Sequence, residues 1–223
     1  MTEGGWYQNE PTESSPKIRH ELLAEKLPIG KNITVDRQIT NFIGSSISLP
    51  ADWESSTAER GGRTNLTTFT SPDGAAQLSL FDRGIPATEQ SVKALNHLLS
   101  NNANLTRPKE LPTSEIRALS DVLGITTAGD NQLVNSVKPP DPRSPAFHLF
   151  TAQLIPVNGK PVLEVQGNFV NDKGEKGKEY RGIFVSSGAD GSTIKELFLQ
   201  ANHTGDMARY QREYRHAVQS IKW

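Results

Sequence analysis

The stretch FHLFTAQLIPVNGKPVLEVQGNFV, Phe147 to Val170, decides how this chain is read. Two β-rich runs, Phe147 to Ile155 and Pro161 to Val170, flank Asn158-Gly159, the dipeptide best suited to the positive φ angles of a tight hairpin. The pair predicts two central antiparallel strands. Downstream, the charged, Gly-bearing NDKGEKGK leads into Tyr180 to Ser186, and GADGS leads into Thr193 to Gln200, so a meander of four strands is expected. Gly205-Asp206 then opens a helix on which Met207, Tyr210, Tyr214, Val218 and Ile221 step by three or four residues. That apolar stripe needs a cover, and the sheet is the cover at hand.

Upstream the same logic gives further elements. Val35, Ile39, Phe42 and Ile43 lead into GSSISLPADW, where Ile47 and Leu49 alternate with serines as in a half-buried strand that Pro50 stops. Arg63 to Thr70 and Ala76 to Asp82 flank Ser71-Pro72-Asp73-Gly74, a sequence suited to a type I turn, and predict a hairpin. Pro86 and Thr88 open a helix carrying Val92, Leu95 and Leu99, closed by an Asn-rich stretch. Leu111 to Val137 gives mixed signals, SEIRALSDVLG reading as helix and ITTAG as the start of a strand, and the four prolines between Lys138 and Pro145 predict an exposed loop. Residues 1–16 are too polar to bury and read as a flexible tail; 17–38 read as a short helix, with Ile18, Leu22 and Leu23 on one face, plus an extension; 39–223 form the domain. The expected class is α+β, a mostly antiparallel sheet with helices packed on its faces.

Composition narrows the function classes. A formal charge of -1 over 223 residues provides no field to gather nucleic acid or an acidic membrane, so neither is expected as a partner. Cysteine is absent, which excludes disulfides, thiolate metal sites and thiol catalysis. Residues 1–16 lack the apolar stretch of a secretory signal, and no run approaches the ~20 apolar residues of a membrane span. The expectation is a cytoplasmic location if Met1 is the native start, and a periplasmic or lumenal one otherwise.

No phosphate loop, dinucleotide glycine fingerprint, nucleophile elbow or paired-histidine zinc helix occurs, so neither catalytic residues nor a cofactor is expected. His20, His97, His148, His203 and His216 are scattered, with no two at ligand spacing on one helix face. Asp172, Glu175, Asp190 and Asp206 fall in turns but lack the dense spacing of a calcium loop. Four Asn-x-Ser/Thr sequons begin at Asn32, Asn65, Asn104 and Asn202, where so much Asn, Ser and Thr yields about two by chance, and without a signal peptide they carry little weight. Arg209, Arg212 and Arg215, with Lys222, face away from the apolar stripe of the last helix. They read either as a docking face for an acidic partner or as cations that complement the helix dipole. Trp6 and Tyr7 stand in a polar tail where a large ring gains nothing unless the body or a partner covers it. Trp53 and Trp223 read as core or rim residues.

The order of these motifs resembles the PsbP/DcrB-like (Mog-type) α/β/α sandwich family over residues 39–223. The matching residues are Phe42 with Ile47-Ser48-Leu49-Pro50-Ala51-Asp52-Trp53, then Phe69 with Ser71-Pro72-Asp73-Gly74, Val157-Asn158-Gly159-Lys160, and Ala217-Val218-Gln219-Ser220-Ile221. The resemblance implies a fold used for binding proteins, with no shared enzymatic activity and no functional residue to carry over. The leading expectation is therefore a non-enzymatic protein-binding, assembly or chaperone-adaptor protein, associated with bacterial secretion. Its partner is a protein, with a homodimer among the options, and Trp6, Tyr7, Arg209, Arg212 and Arg215 are its candidate contacts. Two alternatives stay open: an extracytoplasmic accessory factor, and an enzyme whose site gathers His148 or His203 with acids from distant positions.

Overall fold

In the computed structural model the described residues are 36–60, 63–84, 89–119, 125–127, 132–135, 146–170, 176–187, 191–203 and 205–223. They fall within the unit Ile33–Trp223. The elements are β1 (Arg37–Thr40), β2 (Ser46–Leu49), β3 (Glu54–Arg60), β4 (Arg63–Thr70), β5 (Ala76–Gly84), α1 (Glu89–Asn101), β6 (Lys109–Glu110), α2 (Thr113–Ala118), β7 (Ile125–Thr127), β8 (Gln132–Asn135), β9 (Ala146–Val157), β10 (Lys160–Val170), β11 (Lys176–Ser187), β12 (Thr193–Ala201) and α3 (Asp206–Gln219). The expected tail, residues 17–35 of the expected helix and extension, Trp6, Tyr7 and the proline-rich loop from Lys138 lie outside the described residues, while Arg37 and Gln38, placed in that extension, begin β1.

Ten strands form one antiparallel sheet in the order β3-β4-β5-β12-β11-β10-β9-β8-β7, with β6 also paired to β9, while β1 and β2 make a separate ribbon. The meander β9 to β12 supplies its middle. Alternation along the strands splits the core in two. On β12, Leu197, Leu199 and Ala201 face one side, where α3 lays down Met207, Tyr214, Ala217 and Val218 and the ribbon adds Ile47 and Leu49. Ile194 faces the other, with Leu95 of α1, Ile116 of α2 and Leu154, Leu163 and Phe184 of the meander.

The α+β sandwich expected from sequence, with helices layered on the faces as in the PsbP/DcrB-like fold, needs correcting: the molecule is mostly antiparallel β-sheet with three short helices among the described residues. Length is the physical reason. Strands β9, β10 and β11, of 12, 11 and 12 residues, run ~37–40 Å, whereas the 14-residue α3 spans only ~21 Å and crosses a few of ten strands. In the mixed segment after Leu111, the described residues form the six-residue helix α2, which lies within the expected helical stretch up to Ala118, and the strands β7, at the expected Ile125, and β8; residues 120–124 lie outside the described residues. Glu54–Arg60, polar and without alternation, becomes the edge strand β3 because β4 pairs with it from end to end, with one bulge between Ala58 and Glu59; residues 54–57 are exposed. Ile47 and Leu49 do form a strand, but in the ribbon and not in the main sheet.

The chain's end ties ribbon, sheet and helix together. Lys222 forms an isolated bridge with Ser46, donating its N–H to the Ser46 carbonyl at 2.9 Å, and its own carbonyl accepts from the Ser45 N–H at 2.6 Å. Asn158 adopts φ 45°, and its side-chain amide donates to the carbonyls of Gln219 at 2.7 Å and Ile221 at 2.8 Å. The Asn of the Asn-Gly turn thus does double duty, shaping the hairpin and capping the exit from α3. The Trp223 indole N–H donates to the Val157 carbonyl at 2.7 Å. Gly44 makes room for this strap: it sits at φ +62°, and a Cβ there would lie 2.1 Å from the Lys222 carbonyl oxygen.

Two glycines with the same backbone sign should therefore respond differently to alanine. Gly44→Ala should cost more than ~3 kcal/mol, adding a clash to left-handed strain, whereas Gly74→Ala, at φ +72° with nothing within 4 Å, should cost only about 1–2 kcal/mol. Chemical denaturation of both variants checks this; equal losses would mean that the Lys222 approach is not a real constraint.

Candidate functional site

Among the described residues three polar centres stand out, and two of them are closed. Under α3, the buried Glu164 carboxylate accepts from Arg181 Nε and Nη2, both at 2.9 Å, from Tyr214 OH at 3.1 Å and from Gln153 Nε2 at 2.8 Å. The Arg181 guanidinium also lies over the Tyr214 ring, 5.4 Å from its centroid. Burial, reinforced by the nearby carboxylate, pushes the Tyr214 phenol well above its ordinary value; Arg181, which burial alone would lower, is raised by Glu164. A bidentate ion pair whose lone pairs are all used is a lock between β9, β10, β11 and α3.

On the opposite face Tyr180 donates its hydroxyl to the buried Glu196 and stacks on Phe198 at 5.5 Å. Gly182 permits this, since a Cβ at that position would fall 2.3 Å from the Tyr180 oxygen. The pair lies among apolar side chains of the second core and reaches no described cavity.

The third centre is at the surface, where the Ser71-Pro72-Asp73-Gly74 turn meets the start of α3. Asp73 accepts from the Tyr210 hydroxyl, from the Ser71 hydroxyl at 2.8 Å, from the Ala75 N–H at 3.1 Å and from Arg209 Nη2 at 3.0 Å. The Tyr210 hydroxyl first, then Ser71, the Ala75 amide and the Arg209 charge, hold the Asp73 carboxyl well below the usual carboxylate range. Burial first, then the bond to Asp73, raises the Tyr210 phenol. Arg209, one of the expected partner contacts, is therefore engaged within the chain. Arg212 and Arg215 stand exposed on the same helix.

A cleft of about 630 Å³ opens at one end of the meander. Its floor is the start of β10, the end of β11 and the start of β12; one wall is the 41–44 loop with Trp223, the other the last turn of α1 with Ala103. Alternation sends Lys160, Val162, Val185, Ser187 and Lys195 to the α3 side of the sheet. Each lysine there is held against a ring: the Lys160 ammonium is 4.9 Å from the Trp223 centroid, and the Lys195 ammonium 5.0 Å from that of Phe42. A cation placed over a ring keeps donors directed away from it, toward whatever enters the cleft. Such a volume is within the range of sites that enclose small ligands or short peptide segments.

None of the expected contacts lines this cleft. Arg209, Arg212 and Arg215 are on the outer face of α3, and Trp6 and Tyr7 lie outside the described residues. Nor does the cleft gather histidines with acids: His203 is exposed before α3, His216 lies 2.8 Å from Asp36, and the side chain of His148 is outside the described set. Among the described residues no three His, Asp or Glu side chains cluster so as to hold a metal ion, and no described helix is long and apolar enough to cross a membrane. Lys160 and Lys195 escaped the sequence reading because they are 35 positions apart and meet only through the register of β10, β11 and β12. Lys160 did carry a local signal in directly following the Asn-Gly turn.

The Asp73 cluster has a pH signature. A carboxyl held low by folding contributes stability that is fully present above the unfolded value near 3.8 and is lost as pH falls through the folded value. The melting temperature of Asp73→Asn should thus lie below that of the wild type at pH 6, and the gap should narrow below about pH 3.8. A gap that stays constant down to pH 2.5 would remove the linkage.

Compared with known proteins, the chain matches no family model and no curated relative.

Proposed function

We propose that this chain is a non-catalytic binding protein that holds part of a protein partner in the cleft at the end of the meander. The observation that carries the reading is the pair of lysines, Lys160 and Lys195, each presented on an aromatic ring at the rim of a 630 Å³ cleft. Groups suited to acid–base work are engaged elsewhere. Glu164 is saturated by Arg181, Tyr214 and Gln153, and Tyr180 with Glu196 is enclosed in the second core. The cleft itself offers ammonium groups, serine hydroxyls and apolar walls, which suit recognition of a charged and partly apolar segment.

A second reading, docking on the outer face of α3, is favoured by the exposure of Arg212 and Arg215 together, although Arg209 is committed to Asp73. The two surfaces separate experimentally. A photo-cross-linking residue at Ala103, in the cleft wall, and another at Arg212, on the helix, should be introduced into otherwise intact protein in its native host. The cleft reading expects a defined partner cross-linked from position 103, which then forms a 1:1 complex when both proteins are purified. Cross-linking from position 212 alone would transfer the function to α3. Turnover of a small molecule abolished by filling the cleft with Ala103→Trp would replace binding with catalysis.

A further inference from the structure

The spacing of the two lysines restricts what the cleft accepts. The register pairs Leu163 with Phe184, so Lys160 stands level with Ser187, while Lys195 pairs with Val185 two residues back along β11. Two strand spacings across and two residues along place the Lys160 and Lys195 backbones about 12 Å apart on the same face. Both ammonium groups are steered by rings from above the sheet, Trp223 for Lys160 and Phe42 for Lys195, which limits how far they can converge. Between them the floor is apolar at Val185, with the Ser187 hydroxyl at its edge and Ile43 flanking it, while Pro161 and Leu99 line the cleft from the α1 side of the sheet end.

We infer that the cleft recognises an extended acidic peptide segment whose two carboxylates lie four residues apart, with an apolar side chain between them. The inference rests on the reading of the cleft as the partner site. An extended chain advances ~3.4 Å per residue and returns to the same face every second residue. Carboxylates at positions i and i+4 are then ~13–14 Å apart at the backbone and reach both lysines, while the side chain at i+2 points down onto Val185. A single phosphate or a compact polyacid engages one ammonium at a time. The positive rim favours the acidic segment over a neutral one, and the apolar floor favours it over a bare polyanion.

The test uses the full-length protein and the capped peptide Glu-Ser-Leu-Ser-Glu, observed by calorimetry and by the NMR signal of the Trp223 indole N–H, assigned by Trp223→Phe. Saturable binding that shifts this signal is expected. Replacing both glutamates by glutamine should weaken binding about tenfold, as two accessible ion pairs imply, and raising salt should shrink the difference. Moving the glutamates to adjacent positions should cost several-fold. Lys160→Glu and Lys195→Glu should each weaken the acidic peptide and leave the glutamine peptide unaffected, while Lys160→Arg and Lys195→Arg should retain binding.

Equal binding of the glutamine and glutamate peptides at the Trp223 signal would overturn the acidic specificity and leave the cleft as a binding site. Equal or tighter binding of citrate or inorganic phosphate would make this a small-anion site and overturn the peptide inference. No shift of the indole signal with any peptide would also sink it, whereas the cleft reading itself fails if cross-linking from Ala103 finds no partner or if Ala103→Trp abolishes a turnover.

Discussion

The structure depends on a short backbone approach, the passage of Gly44 beneath the Lys222 carbonyl. That contact lets residues 45 and 46 bond the chain's end, which draws the β1–β2 ribbon onto the face already covered by α3. Once the strap is fixed, Ser220 receives the Ser48 N–H at 2.8 Å, Asn158 caps the carbonyls leaving the helix, and Trp223 lands beside the β9–β10 hairpin. Three segments distant in sequence are thereby held at one end of the sheet, and the cleft is the space left between them. A site of this kind is framed where main chain pairs with main chain, and its long lysine side chains stand at the rim.

The interior is organised around the same economy of connections. Glu164 sits in mid-sheet and would be costly there alone, yet four donors from three further elements converge on it. The aromatic rings contribute in parallel: Trp53 meets Tyr210 edge-on at 5.7 Å, and Tyr210 in turn holds the Asp73 turn. The start of α3 is thus fastened by polar contacts from the β4–β5 turn, its middle by the Glu164 cluster and its end by the strap. A helix shorter than the sheet it covers is kept in one place by contacts along its whole length.

Sequence periodicity showed the parts whose causes are local. The Asn-Gly turn, the stripe from Met207 to Ile221 and the Ser71 to Gly74 turn each owe their form to neighbouring residues, and each has a counterpart in the structure. The weight of sheet over helix was not legible. Strand β3 has no apolar alternation and exists through its pairing with β4, and the residues after Leu111 balance helical and extended preferences until β9 offers an edge. The cleft was hidden for the same reason: Phe42, Lys160, Lys195 and Trp223 form one site only after register and strap are set. The arginines of α3 drew notice because they are close in sequence, but Arg209 has its partner in Asp73, 136 positions away.

Asn158 brings a chemical vulnerability along with its structural role. An asparagine followed by glycine is the sequence most prone to deamidation, since the next backbone nitrogen can reach the side-chain carbonyl through a cyclic imide. Here the side-chain nitrogen is bound to two carbonyls, and the turn is fixed by both strands, which opposes the geometry that cyclisation requires. Should the conversion to aspartate occur as the protein ages, a carboxylate would face two carbonyl oxygens. The clasp on the chain's end would then turn from attraction to repulsion, loosening Trp223 and the cleft wall with it.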